Sequence, residues 1–196
     1  AALERLREMG LLYPCFCTRK EIGALAAPQE NDDAGPVYPG TCRDLSAGAR
    51  EHLAQTRPHV WRLDMARACA RAGALFWHDA IKGEVRADPA RFGDIVLARK
   101  DVPTSYHLSV TVDDALQGVT CVTRGEDLFA ATDIHRLLQA LLGLPTPRYR
   151  HHALLRDATG RRFAKRDKAL TLRSLREAGK TPLDVRAMVG FGDLSL

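Results

Sequence analysis

Residues 105–128 read SYHLSVTVDDALQGVTCVTRGEDL. The β-branched Val110, Thr111 and Val112 favour strand, while the place of YHLSVTV directly before Asp113, Asp114, Ala115 and Leu116 allows helix, so its first third is open between the two. VTCVTR, residues 119–124, predicts a buried strand that ends at Arg124 and Gly125. Thr132 then predicts the cap of an amphipathic helix, DIHRLLQALLG, with Ile134, Leu137, Leu138 and Leu141 on one face and Gly143 and Pro145 as its stop. A strand that feeds an amphipathic helix is the repeating unit of α/β folds, and ligands of open α/β sheets bind at the carboxyl ends of the strands. Arg124 stands at such an end. It can pair there with a carboxylate through two charge-assisted hydrogen bonds, or form a structural salt bridge with Glu126 or Asp127.

Upstream, Leu3, Leu6, Met9 and Leu12 have helical spacing and predict a helix over 1–13. Residues 14–45 form a loop-rich segment in which 26–36, AAPQENDDAGP, reads as an exposed loop. SAGAREHLAQTR, residues 46–57, predicts a short helix opened by Ser46. HVWRLDM alternates Val60, Arg62 and Asp64 with Trp61, Leu63 and Met65, as a half-buried strand does. LFWHDAIKGEVRAD places a turn at Lys82 and Gly83 between two strands, and Ile95 to Ala98 form a compact apolar strand. Cys69, in the Ala-rich ARACARAG, reads as a helix-packing residue. The tail from Thr171 is helical, with Thr181 and Pro182 opening a last short helix.

The loop-rich segment gathers three of the five cysteines: Cys15 and Cys17 in PCFC, and Cys42 in VYPGTCRDL. A zinc ion takes about four N, S or O ligands in a tetrahedron. A Cys-x-Cys turn and a third thiolate across a loop supply three. The fourth is open among Tyr38, Asp44, His52 and His59, and general chemistry favours histidine. Three unlinked thiols are the alternative reading.

The chain has 196 residues and a net charge of +5. It contains no run of about 18 apolar residues, and the opening AALERLREMGLL lacks the apolar core of a signal peptide, so the expectation is a cytoplasmic protein with reduced thiols and no membrane association. The charge is uneven. Residues 148–168 carry eight Lys and Arg against two Asp, with His151 and His152 among them. Such a local excess suits the phosphates of a nucleotide or a nucleic acid, or else is a solvated surface.

Four segments, YPCFCTRKEI, YPGTCRDL, DIVLARKD with SYHLSVTVDDALQGVTCVTRGEDL, and YRHHALLRDATGRRFAKRD, together resemble the class I glutamyl-tRNA synthetases, above all their shortened paralogues, the glutamyl-Q tRNA(Asp) synthetases. The resemblance covers nearly the whole chain. It implies an α/β architecture: the second half of a Rossmann-like class I aminoacyl-tRNA synthetase catalytic domain, with a zinc-bearing insert and a short helical C-terminal extension. Its divisions fall at 1–13 (a helix continuing from a preceding part), 14–93 (the insert), 94–147 (the catalytic half) and 148–196 (the KMSKS-like loop and extension).

The resemblance selects Cys15, Cys17, Tyr38 and Cys42 as ligands of a structural zinc. It implies Tyr106 and Arg124 as contacts of substrate glutamate. In the KMSKS-like loop, Arg162 takes the first Lys position, Phe163 the Met, Ala164 the Ser and Lys165 the second Lys, with Arg166 following. These residues imply ATP binding, and Lys165 the catalytic stabilisation of phosphate charge. The implied reaction uses ATP with Mg²⁺ to activate L-glutamate without tRNA, then passes glutamate to the queuosine base of tRNA(Asp). A monomer is the expected state.

No HIGH-type signature occurs, and the resemblance places Ala1 beyond it. The expectation is that an N-terminal part precedes Ala1 in the natural protein and that the chain alone is incomplete for catalysis. The sequence as given ends soon after Lys165, and the expectation is a member of the family without the anticodon-binding domain of a full glutamyl-tRNA synthetase. A truncated ordinary glutamyl-tRNA synthetase and a non-catalytic zinc-containing RNA-binding module are the alternative readings.

Overall fold

The computed structural model describes residues 1–25, 37–99, 101–156, 159–160, 163 and 171–191. The polar 26–36 loop lies outside them. The chain divides into two compact units, one of residues 1–124 and 128–151, the other of 125–127 and 152–196.

The first unit begins with α1 (Ala2–Glu8), shorter than the expected helix because Gly10, at φ +69°, turns the chain into β1 (Leu12–Cys15). That strand, unforeseen in the sequence, carries Cys15. Next come α2 (Arg19–Leu25) and α3 (Ala47–Thr56), whose cap Ser46 accepts from Ala49 N–H at 3.2 Å. β2 (Val60–Leu63) and α4 (Met65–Ala72) follow, the latter capped by Asp64 and packing Cys69 against the core. β3 (Phe76–Asp79) and β4 (Gly83–Arg86) form a hairpin closing at Asp79 and Gly83, where φ is +78°. A 3₁₀ turn at Pro89–Phe92 leads to β5 (Val96–Ala98).

YHLSVTV resolves as helix. α5 (Tyr106–Leu116) is capped by Ser105 accepting from Leu108 N–H, and Leu108 and Thr111 face the interior. Capping and burial outweigh the modest helix cost of the β-branched residues. β6 (Cys121–Gly125) forms as expected but is an edge strand with Cys121 exposed, not the buried strand its apolar spelling suggested. α6 (Thr132–Leu142) ends at Gly143 in the left-handed region, φ +62°. Thr132 does not cap it: Ala131 holds the cap position, and the Thr132 hydroxyl is engaged elsewhere. β7 (Arg148–His152) completes the strands.

These strands make two sheets. β1–β2–β5 is antiparallel, and the other has the order β4–β3–β7–β6, with β7 parallel to β3. Strands from both sides of the expected 93/94 boundary share the first sheet. One apolar core also spans it, from Leu6 and Leu63 through Leu97 to Ile134, Leu137 and Leu138. Each such side chain contributes roughly 1.5–3 kcal/mol by leaving water.

In the second unit, α7 (Leu172–Glu177) and α8 (Pro182–Met188) carry capping boxes, Thr171 with Ser174 and Thr181 with Asp184, and Pro182 occupies the first turn of α8. No described helix is long and apolar enough to cross a membrane.

Candidate functional site

Arg124 is delivered by the end of β6 to a cluster of neutral acceptors. Its Nε donates to His151 Nε2 at 3.1 Å, one terminal nitrogen to His135 Nδ1 at 3.1 Å, and the other to Thr132 Oγ1 at 2.6 Å and to the Leu128 carbonyl at 3.4 Å. Its guanidinium also lies 5.3 Å over the Tyr149 ring. Among the described residues it forms no ion pair with Glu126 or Asp127. A guanidinium has five N–H donors. One is left without a partner among the described residues, and the Leu128 bond is long. Those two hydrogens are the ones a carboxylate could take.

Tyr106, the first residue of α5, is 53% exposed, and its ring meets those of His107 at 5.7 Å and His135 at 6.0 Å. The cluster thus brings Tyr106 and Arg124 together around His135. Behind Arg124, His151 Nδ1 stands 2.7 Å from Asp79 Oδ2, both side chains fully buried. Burial works against charge on Asp79, but bonds from His151 and from the backbone N–H groups of Ile81, Lys82 and His151 outweigh it and hold the carboxyl at about 2. Burial lowers His151, with Arg124 adding to it against the pull of Asp79. Burial, then Arg124 and the other two histidines, push His135 down to about 2, and burial with Arg124 lowers His107. The histidines are therefore neutral, and Arg124 keeps its charge uncompensated by a contacting carboxylate.

Sequence reading missed His107, His135, His151, Asp79 and Thr132. One signal was present: Thr132, His135 and Gln139 recur at helical spacing beside the apolar face of α6, and all three are buried. Gln139 donates to Tyr149 Oη on β7 at 2.9 Å, while His135 faces Arg124 and His107.

The second site is the thiol cluster. The Sγ atoms of Cys15, Cys17 and Cys42 lie within 4.8 Å of one another, and Cys17 and Cys42 are 3.5 Å apart. The Tyr38 hydroxyl is 3.5 Å from Cys17 Sγ and accepts from Cys42 N–H at 2.8 Å. Tetrahedral zinc–thiolate bonds of about 2.3 Å require sulfurs about 3.8 Å apart, and a phenolate ligand about 3.5 Å from each sulfur. The four side chains fit that ion. Among the described residues no histidine or carboxylate joins the group; His59 instead packs edge-on against Phe16 and Trp61.

Burial raises Cys17 to about 11 and raises Tyr38. At Cys42 the bonds from Tyr38, Phe16 N–H and Cys17 overcome burial and lower the thiol. Arg62 lies 3.9 Å over the Tyr38 ring. Asp94 accepts from Tyr13, from Arg43 Nε and from Met65 N–H, tying the residue after Cys42 to α4.

Of the KMSKS-like loop, Arg162, Ala164, Lys165 and Arg166 lie outside the described residues. Phe163 is exposed and donates its N–H to the Leu155 carbonyl at 3.2 Å.

The family model for the catalytic domain of class I tRNA synthetases (E and Q) matches residues 1–191. The chain is 50% identical over 97% of its length to the glutamyl-Q tRNA(Asp) synthetase of Rhodobacter capsulatus, spanning 70% of that protein. It is 45% identical over 96% of its length to the enzyme of the same name from Nocardia farcinica, and 41% identical over 92% to that from Symbiobacterium thermophilum, spanning 58% and 55% of them. Its fold is similar to the glutamate-tRNA synthetase of Elizabethkingia anophelis, with a TM-score of 0.66 at 24% identity over 84% of this chain and 34% of the other. It is likewise similar to a glutamate tRNA ligase from Elizabethkingia meningosepticum in complex with its amino acid, with a TM-score of 0.65 at 23% identity over 91% and 35%. The architecture is thus the Rossmann-like α/β fold of a class I synthetase catalytic domain, and the chain belongs to the class I (E and Q) tRNA synthetase family, a family of ligases.

Proposed function

We propose that the protein activates L-glutamate with ATP and Mg²⁺, without tRNA, and then transfers the glutamyl group to the queuosine base of tRNA(Asp). The observation that carries the reading is Arg124. A guanidinium at a strand end, held only by neutral groups beside Tyr106, keeps its charge for a substrate carboxylate. The names of the relatives, at 41–50% identity, support the choice of substrate and tRNA.

In the first step a glutamate α-carboxylate oxygen attacks the α-phosphorus of ATP, a bond to phosphorus forms, and pyrophosphate leaves with the electron pair of the broken P–O bond. The protein's part is to orient reactants and neutralise charge. Tyr106 and Arg124 hold glutamate. By the resemblance, Arg162, Phe163, Ala164, Lys165 and Arg166 are the ATP-binding residues, and Lys165 is the one that neutralises the developing phosphate charge. A zinc ion on Cys15, Cys17, Tyr38 and Cys42 ties the ends of the 15–42 segment together and takes no part in the chemistry. None of the five cysteines forms a disulfide, which suits the cytoplasm, where tRNA is found.

The test is transfer of labelled glutamate by the full-length protein to tRNA(Asp) with and without queuosine. Label should enter only the modified tRNA. Equal labelling of both, at the 3′ end, would replace this reading with that of an ordinary glutamyl-tRNA synthetase.

A further inference from the structure

We infer that Asp79, His151 and His135 are positioning residues for Arg124: they fix its direction through neutral acceptors in locked tautomers. The inference rests on the reading of Arg124 as the carboxylate-binding group. It concerns residues to which neither the spacing in the sequence nor the resemblance gave a role.

The tautomers follow from groups that can act in one direction only. An ionised carboxylate accepts and cannot donate. Asp79 accepts three backbone N–H groups, from Ile81 at 2.9 Å, Lys82 at 3.0 Å and His151 at 3.1 Å, and faces His151 Nδ1 at 2.7 Å. His151 Nδ1 therefore carries the hydrogen, and Nε2 is bare. Arg124 can only donate, and its Nε meets that bare nitrogen at 3.1 Å. The same logic runs on the other side. An Arg124 terminal nitrogen faces His135 Nδ1 at 3.1 Å, so this atom is bare and His135 Nε2 carries the hydrogen, which points at His107 Nδ1, 3.1 Å away. From Asp79 to His107 each hydrogen bond then has one donor and one acceptor.

A carboxylate placed directly on Arg124 would aim it equally well but would cancel its charge before substrate arrived. Here the nearest carboxylate on this path, Asp79, stands one imidazole away. The guanidinium is immobilised, yet its charge is left for an anionic ligand group. Its orientation is set in advance, which lowers the ordering cost of binding.

Asp79→Asn in the full-length protein tests the chain. The introduced amide can present N–H to His151 Nδ1, which drives the ring to its other tautomer and sets Nε2–H against Arg124 Nε–H. The expected result is a rise of about tenfold or more in KM for glutamate at unchanged KM for ATP, since a buried donor is left without an acceptor. His135→Leu should do the same. His135→Asn, whose Oδ1 can stand in for Nδ1, should restore most of the loss.

Equal effects of Leu and Asn at 135, or parallel changes in both KM values, would reduce these residues to packing and overturn the inference. Thermal melts of each variant separate loss of fold from loss of binding, and glutamate affinity by calorimetry on the folded fraction keeps the test open if activity is low. Arg124→Gln is the control on the underlying reading. If it leaves glutamate KM unchanged, the reading of Arg124 itself falls. If it raises KM while Asp79→Asn and His135→Leu behave as wild type, the positioning chain alone falls.

Discussion

Asp94→Ala removes one buried carboxylate that joins three parts of the first unit. Its side chain is 2% exposed and accepts from the Tyr13 hydroxyl, from Met65 N–H at 2.9 Å and from Arg43 Nε at 2.8 Å. Tyr13 is 3% exposed, so its hydroxyl would be stranded away from water, and so would the Met65 N–H at the start of α4. Each orphaned buried donor costs about 1–3 kcal/mol. Arg43 is 35% exposed and can turn to solvent, so its lost ion pair adds little. The expected loss is about 2–5 kcal/mol, a large share of the ~5–15 kcal/mol by which domains are stable.

For a chain of this size that corresponds to a fall of about 5–15 °C in melting temperature. Urea denaturation of the wild type, Asp94→Ala, Asp94→Asn and Tyr13→Phe measures it. Asparagine keeps an oxygen for Met65 N–H and should recover roughly half of the loss. The Tyr13→Phe and Asp94→Ala changes should also be non-additive, because they remove the same bond. A loss below about 1 kcal/mol for Asp94→Ala, or additivity in the cycle, would refute the claim that this carboxylate pins the thiol segment to the core.

Three further outcomes are expected. Cys42→Ser should lower bound zinc well below the about one ion per chain expected of the wild type, read by elemental analysis; equal content would remove Cys42 from the ligand set. His135 is held at about 2 in the fold against ~6.5 unfolded, so the unfolded chain takes the proton first as pH falls. The stability present above pH ~6.5 should then decline by about 2–3 kcal/mol by pH 4.5, with His151 and His107 acting in the same direction and Asp79 losing its contribution only below ~3.8. Denaturation curves at both pH values should show a flatter decline for His135→Asn, and an unchanged slope would contradict the burial argument. Lys165→Ala should slow adenylate formation by about a hundredfold in single-turnover experiments while leaving glutamate affinity near wild type; equal rates would take Lys165 out of the mechanism.

The parts legible in the sequence were those with a local cause. Ser46, Lys82 with Gly83, Gly143, and Thr181 with Pro182 each act within a few residues, and the cap, hairpin, stop and last helix form where they predicted. The thiol cluster was legible because Cys15, Cys17 and Cys42 have spacing that few other roles require, although choosing Tyr38 over histidine took the resemblance. Of the Arg124 cluster, Tyr106 and Arg124 came with the resemblance, and Asp79 and His151 behind them were not legible. Asp79 and His151 are 72 positions apart, and only the parallel pairing of β3 with β7 brings them together. Thr132 also misled: its place before a helix predicts a cap, but as the first residue of α6 its hydroxyl serves Arg124, eight positions back on β6. YHLSVTV stayed open in the sequence, since Val110 and Val112 favour strand, and only the Ser105 cap and the core settle it as helix.

Whether the protein activates glutamate on its own is decided by glutamate-dependent ATP–pyrophosphate exchange with the full-length protein, run with and without tRNA. Exchange should need glutamate, proceed without tRNA and collapse in Arg124→Gln. Exchange that appears only when tRNA is added, or none under either condition, would contradict tRNA-independent activation.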